Sequence, residues 1–362
     1  MPKSLYIHIP FCKTKCKYCS FVSITKTDLI EEYVNALCRQ IKFQYKGELL
    51  RTLYIGGGTP SILALKDISK ILKLLNFDNS TEVTMECNPS DLDKNYLKEL
   101  KNLGVNRLSL GVQAFDDKLL KIIGRRHNAQ KAEDVVKMAQ DSGFDNISID
   151  LIYGLPSQDV ARYKETLQKA IEQEVSHISL YGLKIEEGCY FYKNFPKNLP
   201  DDEVQAQMHK LSKQILEKHG FIHYEISNFA KKGFSSKHNL NYWKAKEYYG
   251  FGAAAHGYVD KVRYANTTNI ESYIQNPLML SDIHFLSEQE RLEETIFLGF
   301  RKFDGIDVEA INTEFGINFE DKYKKILQKY SNLKHIEKTV KGYKLTEEGI
   351  LLSNYFLSEF LM

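Results

Sequence analysis

The sequence predicts an α/β chain: a partial parallel (β/α)6 barrel of TIM-like type, followed by a mostly helical, winged-helix-like module. Three observations carry this reading. Short β-branched runs alternate six times with stretches of helical period up to Leu180. Residue types suited to chemistry fall at or just beyond the ends of those runs, and parallel barrels build their sites on that rim. Past Leu180 the alternation stops, and from about Leu286 the chain reads as helices. Six units rather than eight leave the barrel open at one side. The expected domains are 1–200 for the barrel, 201–285 for an extension of it, and 286–362 for the helical module.

In chain order, residues 5–9 read as the first strand and 29–46 as its helix, with Ile30, Tyr33, Val34, Leu37 and Ile41 at helical spacing. Residues 51–55 form the second strand, which runs into Gly56-Gly57-Gly58-Thr59-Pro60; a helix over 65–75 follows. Strand three is 82–86, with a helix over 92–103 stopped by Gly104. Strand four is 106–110, with helices through 139. Strand five is 146–152, with a helix over 163–173, and strand six is 177–180.

Asp201 or Asp202 can cap a helix with the apolar stripe Val204, Met208, Leu211 and Ile215. Residues 221–226 look like a strand. A polar and aromatic segment, 237–243, and a small-residue run, 250–257, come next. The C-terminal module reads as helices with a two-stranded wing. Such modules often bind DNA, but this one carries 11 Lys+Arg against 14 Asp+Glu from residue 287 on. That balance argues for packing or partner contact and against nucleic acid.

Composition narrows the function classes. The chain is 43% hydrophobic and 27% charged, as ordinary globular proteins are. A net charge of +2 implies no polyanion partner. No run of ~18 apolar residues suggests a membrane span, and the first residues lack a signal-peptide pattern. A cytoplasmic location is expected. Six cysteines at irregular spacing in such a chain argue against a disulfide framework.

Cys12, Cys16 and Cys19 lie within eight residues, spaced Cys-x3-Cys-x2-Cys, in the loop after the first strand. Their closeness points to one shared object. Structural zinc takes four ligands, usually as two pairs. Here Cys38, Cys87 and Cys189 stand alone. Three thiolates with one open position suit a cubane cluster whose fourth iron binds something else.

The Cys-x3-Cys-x2-Cys loop, Gly-Gly-Gly-Thr-Pro after strand two, and the segments Leu-Ser-Leu-Gly-Val-Gln and Ile-Asp-Leu-Ile-Tyr-Gly-Leu-Pro resemble the radical S-adenosylmethionine (SAM) superfamily. Within it they resemble the branch that contains oxygen-independent coproporphyrinogen III oxidase. The resemblance covers roughly the whole chain. It implies a [4Fe-4S] cluster on the three cysteines, with SAM chelating the open iron. It also implies SAM-contacting roles for Tyr6, Gly57, Gly58, Thr59 and Glu86, and a second SAM-binding region at Gln113, Arg125 and Asp150. Lys184 and His256 fall at further matching positions.

Two features depart from the oxidase pattern. Its fourth cysteine is replaced by Phe21, and residues 238–243 spell His-Asn-x-x-Tyr-Trp. The second resembles the HemW-type heme chaperones. It implies a heme-associated role for His238, Asn239, Tyr242 and Trp243, although His8, His223 and His256 are competing imidazoles. A loop in which His238 and Asn239 cap backbone groups and Trp243 fills the core accounts for the same residues. The implied function is a chaperone that binds a cluster, SAM and heme, and passes heme to acceptors such as respiratory cytochromes. Monomer, dimer and peripheral membrane association stay open. The alternative is the oxidase activity itself.

Overall fold

Strict alternation within the strands decides the architecture. In β1 (Ser4–Ile9) the odd positions Leu5, Ile7 and Ile9 are buried in the main core, while Tyr6 and His8 bond to each other on the opposite face. The same rhythm runs through β2 (Thr52–Gly57), β3 (Glu82–Cys87), β4 (Arg107–Gln113), β5 (Asn146–Tyr153) and β6 (His177–Gly182). Outward apolar side chains pack on helices. Inward ones are polar and bond across the strands: Tyr54 to Glu86, Ser109 to Asp150, Ser148 to His177. A parallel barrel is normally filled by branched apolar residues; this one has a polar lining.

This computed structural model describes residues 1–361, so Met362, the end of the expected third domain, lies outside the described residues. The crossover helices are α1 (Ile30–Gln44), α2 (Leu65–Leu72), α3 (Lys94–Asn102), α4 (Asp117–Ile122), α5 (Ala129–Asp141) and α6 (Val160–Glu172). Side chains at the start of α3, α5 and α6, namely Asp93, Asn128 and Asp159, accept backbone N–H bonds there. Cys38 is packed in α1, which buries Tyr33, Val34, Leu37 and Ile41 on the same face.

Next come α7 (Tyr190–Lys193), α8 (Asp202–Lys218), β7 (Ile222–Glu225), β8 (Asn228–Ala230), α9 (Lys237–Trp243) and β9 (Tyr249–Phe251). Among the described residues the main sheet has nine strands, in the order β7-β8-β6-β5-β4-β3-β2-β1-β9. Six strands up to Leu180 were expected, and a further one over 221–226, which is β7. Strand β8 adds antiparallel to β6 at one edge with β7 antiparallel outside it, and β9 adds parallel to β1 at the other. Residues 237–243, the polar and aromatic segment, form a helix capped by the Ser236 hydroxyl.

A three-stranded sheet of β10 (His256–Val259), β11 (Val262–Asn266) and β12 (Leu280–Phe285) follows, with α10 (Ile270–Gln275) inside it. The tail starts with α11 (Glu288–Gly299), whose Ser287–Glu290 capping box fixes its start. After β13 (Ile306–Asp307) it continues through α12 (Val308–Phe315), α13 (Phe319–Lys322) and α14 (Lys324–Asn332) to β14 (Ile336–Lys338) and β15 (Gly342–Leu345). It closes with α15 (Glu347–Leu351) and α16 (Ser353–Ser358). Its core is separate and aromatic, built on Phe300, Phe319, Tyr330, Phe356 and Phe360. The wing has three strands rather than two, because the two-residue β13 pairs with β15. A run that short leaves no alternation to read. Among the described residues no helix is long and apolar enough to cross a membrane.

Candidate metal and cofactor site

The cysteine loop is cinched at its base. Cys12 N–H donates to Ile24 O at 2.9 Å and Ile24 N–H to Pro10 O at 2.8 Å. Further along, Lys17 N–H reaches Ile123 O, and Lys17 O accepts from Phe191 N–H. Cys12 is buried, Cys16 and Cys19 are half-buried, and none of the six cysteines is in a disulfide. Burial first, then the neighbouring Cys16 and Cys12 sulfurs, pushes the Cys19 thiol up to about 11. Two donors aim at the other sulfurs. Thr59 Oγ1 lies 3.3 Å from Cys12 Sγ, and Arg125 Nη1 lies 3.4 Å from Cys16 Sγ.

The glycine run explains itself by contact. Gly57 has φ +112°, and a Cβ on it would lie 2.6 Å from the His8 ring. A Cβ on Gly58 would lie 2.8 Å from Phe11 O, in the backbone of the cysteine loop. Only glycine lets the two segments touch. Gly57 N–H donates to Glu86 Oε2 at 3.1 Å, and Tyr54 Oη–H to Glu86 Oε1 at 2.8 Å. Burial raises the Glu86 carboxyl to about 7 despite these two bonds. Tyr6 donates to His8 Nδ1 at 2.9 Å, since His8 Nε2–H is spent on Val22 O.

Gln113 stands at a bulge in β4 with φ +70°, a conformation a non-glycine residue holds at a cost. Its Nε2 and Arg125 Nη2 both crowd the open side of Gly111, and Arg125 also donates to Gly111 O. Ser109 Oγ donates to the Asp150 carboxylate at 3.1 Å. Burial lifts the Asp150 carboxyl above its ordinary range, against the Ser179 and Ser109 hydroxyls and the Arg107 charge. Tyr6, Gly57, Gly58, Thr59, Glu86, Gln113, Arg125 and Asp150 thus sit on the barrel's inner face or its C-terminal rim. His256 is exposed at the start of β10, near enough for its charge to act on His8. Lys184 is exposed on the loop after β6.

The 238–243 stretch lies elsewhere. Lys237 and His238 N–H groups bond the Glu82 carboxylate, and His238 Nδ1 lies 2.8 Å from Thr52 Oγ1. Thr52 and Glu82 begin their strands, so α9 plugs the end of the barrel opposite the cysteines. His238 is buried, and its Nε2 is taken by Tyr242 Oη at 2.8 Å. Burial lowers its pKa to about 3, so the ring is neutral. Asn239 N–H is spent on the Ser236 cap. The Arg301 guanidinium covers the Trp243 ring at 4.9 Å. The cavity lined by Trp243, Tyr242, Tyr248 and Arg263 measures about 230 Å³, under the ~300 Å³ that small-ligand pockets start from. In this conformation neither ring nitrogen of His238 is open to iron.

Sequence reasoning missed several lining residues. Tyr54 holds Glu86 and stacks on His238 at 5.1 Å. Arg107 is only 2% exposed, and its Nε has no partner among the described residues. The signal for both was the polar phase of the alternation in each strand.

The Radical SAM superfamily pattern matches residues 6–170, and the HemN C-terminal domain matches residues 286–352. The heme chaperone HemW of Lactococcus lactis is 38% identical, covering 100% of this chain and 98% of its own. This chain belongs to the HemW family. HemW of Bacillus subtilis is 36% identical over 99% of both chains. The solved coproporphyrinogen III oxidase HemN of Escherichia coli superposes with TM-score 0.87 at 23% identity, covering 99% of this chain and 90% of that one. At that identity the likeness shows the fold: the radical SAM partial barrel with its helical tail.

The donor set in this HemW-family chain fits an iron–sulfur cluster. Three free cysteines lie on one short loop, and a cubane held by three thiolates keeps one iron open. The Thr59 hydroxyl and the Arg125 guanidinium stand within reach of the Cys12 and Cys16 sulfurs, where donors to a cluster's thiolates would be needed.

Proposed function

We propose that this chain is a heme chaperone: it carries a [4Fe-4S] cluster on Cys12, Cys16 and Cys19, binds SAM beside it, and delivers heme to acceptor proteins. The observation that carries the reading is full-length similarity to HemW together with Phe21 at the fourth-cysteine position of the oxidase pattern. When bound, the reduced cluster supplies the electron for reductive SAM chemistry. The chain's residues do the rest. The glycine run and Glu86 offer backbone groups and a carboxylate to the SAM amino end. Tyr6 and His8 keep one face of the mouth fixed, and Gln113, Arg125 and Asp150 hold the opposite wall. His238, Asn239, Tyr242 and Trp243 serve as the floor beneath Tyr54 and Glu86 rather than as iron contacts. Cytoplasmic residence follows the same reading.

The oxidase reading is favoured by Gln113, Arg125 and Asp150, which match the oxidase's second SAM-binding region. Anaerobic incubation of the cluster-loaded chain with SAM, a reductant and coproporphyrinogen III separates the two. Heme uptake without protoporphyrinogen formation is the expected result. Steady protoporphyrinogen production would replace the chaperone reading with the oxidase one.

A further inference from the structure

Resting on the heme reading, we propose that heme docks on the outer lip of the barrel mouth, against Phe21, Tyr190, Tyr192 and Phe195, with its propionates held by Lys15, Lys17 and Lys193. These four aromatic side chains are 54–68% exposed. Scattered exposed apolar residues need no explanation, but a group of large ones does. They sit on two segments that are tied together. Ser20 Oγ–H donates to Glu186 Oε2 at 2.8 Å, Lys17 O accepts from Phe191 N–H, and Lys17 Nζ stands 5.7 Å from the Tyr190 ring.

A satellite core underpins the lip. Cys189 and Phe191 are buried in it, and Tyr18, Leu183 and Ile185 pack against it. Tyr190 and Tyr192, their neighbours in sequence, are turned outward. Outward aromatics on a fixed base offer flat apolar area without ordering cost.

Charge chooses the occupant. Lys15, Lys17 and Lys193 make no ion pair among the described residues, whereas Lys13 in the same loop is spent on Asp91. The nearby Glu186 is occupied by Ser20, and Glu187 adjoins it. A planar apolar ligand edged by carboxylates matches an aromatic surface edged by free ammonium groups. Heme has that shape and charge. The placement also brings cargo to the cluster loop, since Phe21 follows Cys19 by two residues.

The test uses the cluster-loaded chain, anaerobically, titrated with heme and with heme dimethyl ester, whose propionates are blocked. The variant Phe21→Ala/Tyr190→Ala/Tyr192→Ala/Phe195→Ala should bind both ligands about tenfold or more weakly. The variant Lys15→Gln/Lys17→Gln/Lys193→Gln should lose affinity for heme and keep it for the ester. Iron and sulfide content report that the barrel is intact in each. Heme affinities within about twofold of the parent for both variants overturn this placement and leave the chaperone reading standing. A parent chain that takes up no heme overturns the chaperone reading itself.

Discussion

Glu86 is a buried carboxyl held between Tyr54 Oη and Gly57 N–H. Its folded value of about 7 lies above the ~4.3 of an unfolded glutamate. Its contribution to stability is therefore full below the unfolded value and is lost as pH rises through 7. Relative to Glu86→Gln, the cluster-free wild type should lose up to about 3 kcal/mol between about pH 5 and pH 8. Urea titrations across that range measure it; a difference that does not change with pH contradicts it. Thr59 acts more locally. Its hydroxyl lies on Cys12 Sγ, so Thr59→Val should make the loaded cluster's reduction potential more negative, because hydrogen bonds to ligating sulfur favour the reduced state. An unchanged potential would mean that this contact is lost on loading. The cysteines were legible from spacing alone. Tyr54 and Arg107 were not singled out, since a polar residue in a strand usually faces water, and here it faces the barrel axis.

At the scale of elements, two pieces bound the site. The glycine run presses on the cysteine loop, and Gly58→Ala would drive a Cβ into Phe11 O. That variant should fold yet load less iron per chain than the parent; full loading would show that the loop can retreat. Helix α9 closes the opposite end. His238→Ala leaves the buried Thr52 hydroxyl and Tyr242 without a shared partner, and should cost about 2–4 kcal/mol of unfolding free energy. A loss under ~1 kcal/mol in a denaturant titration would remove its role as a plug. The barrel strands and helices were readable because each has several turns or alternations of pattern. Helix α9 was not: its seven residues carry no apolar stripe, and only Ser236 marks its start. Strand β9 was hidden because three residues leading into Gly252 resemble a turn, and only the edge of β1 makes them a strand.

On the scale of the whole molecule, a polar-lined partial barrel has one open mouth, one plugged end and a separately cored tail. The mouth gathers residues from five strands, Tyr6, Gly57, Glu86, Gln113 and Asp150. The 238–243 stretch was the exception. It was read as part of the ligand surface but lies at the far end of strands that rise about 3.3 Å per residue. The central claim is that this scaffold carries heme and hands it on. Its most direct test is transfer: the cluster-loaded chain is charged with heme, separated from free heme, and mixed with an apo-cytochrome under anaerobic conditions. The account predicts that heme leaves this chain and appears in the cytochrome spectrum, faster than from free solution. Heme that stays bound, or a cytochrome that fills no faster than with free heme, would contradict it.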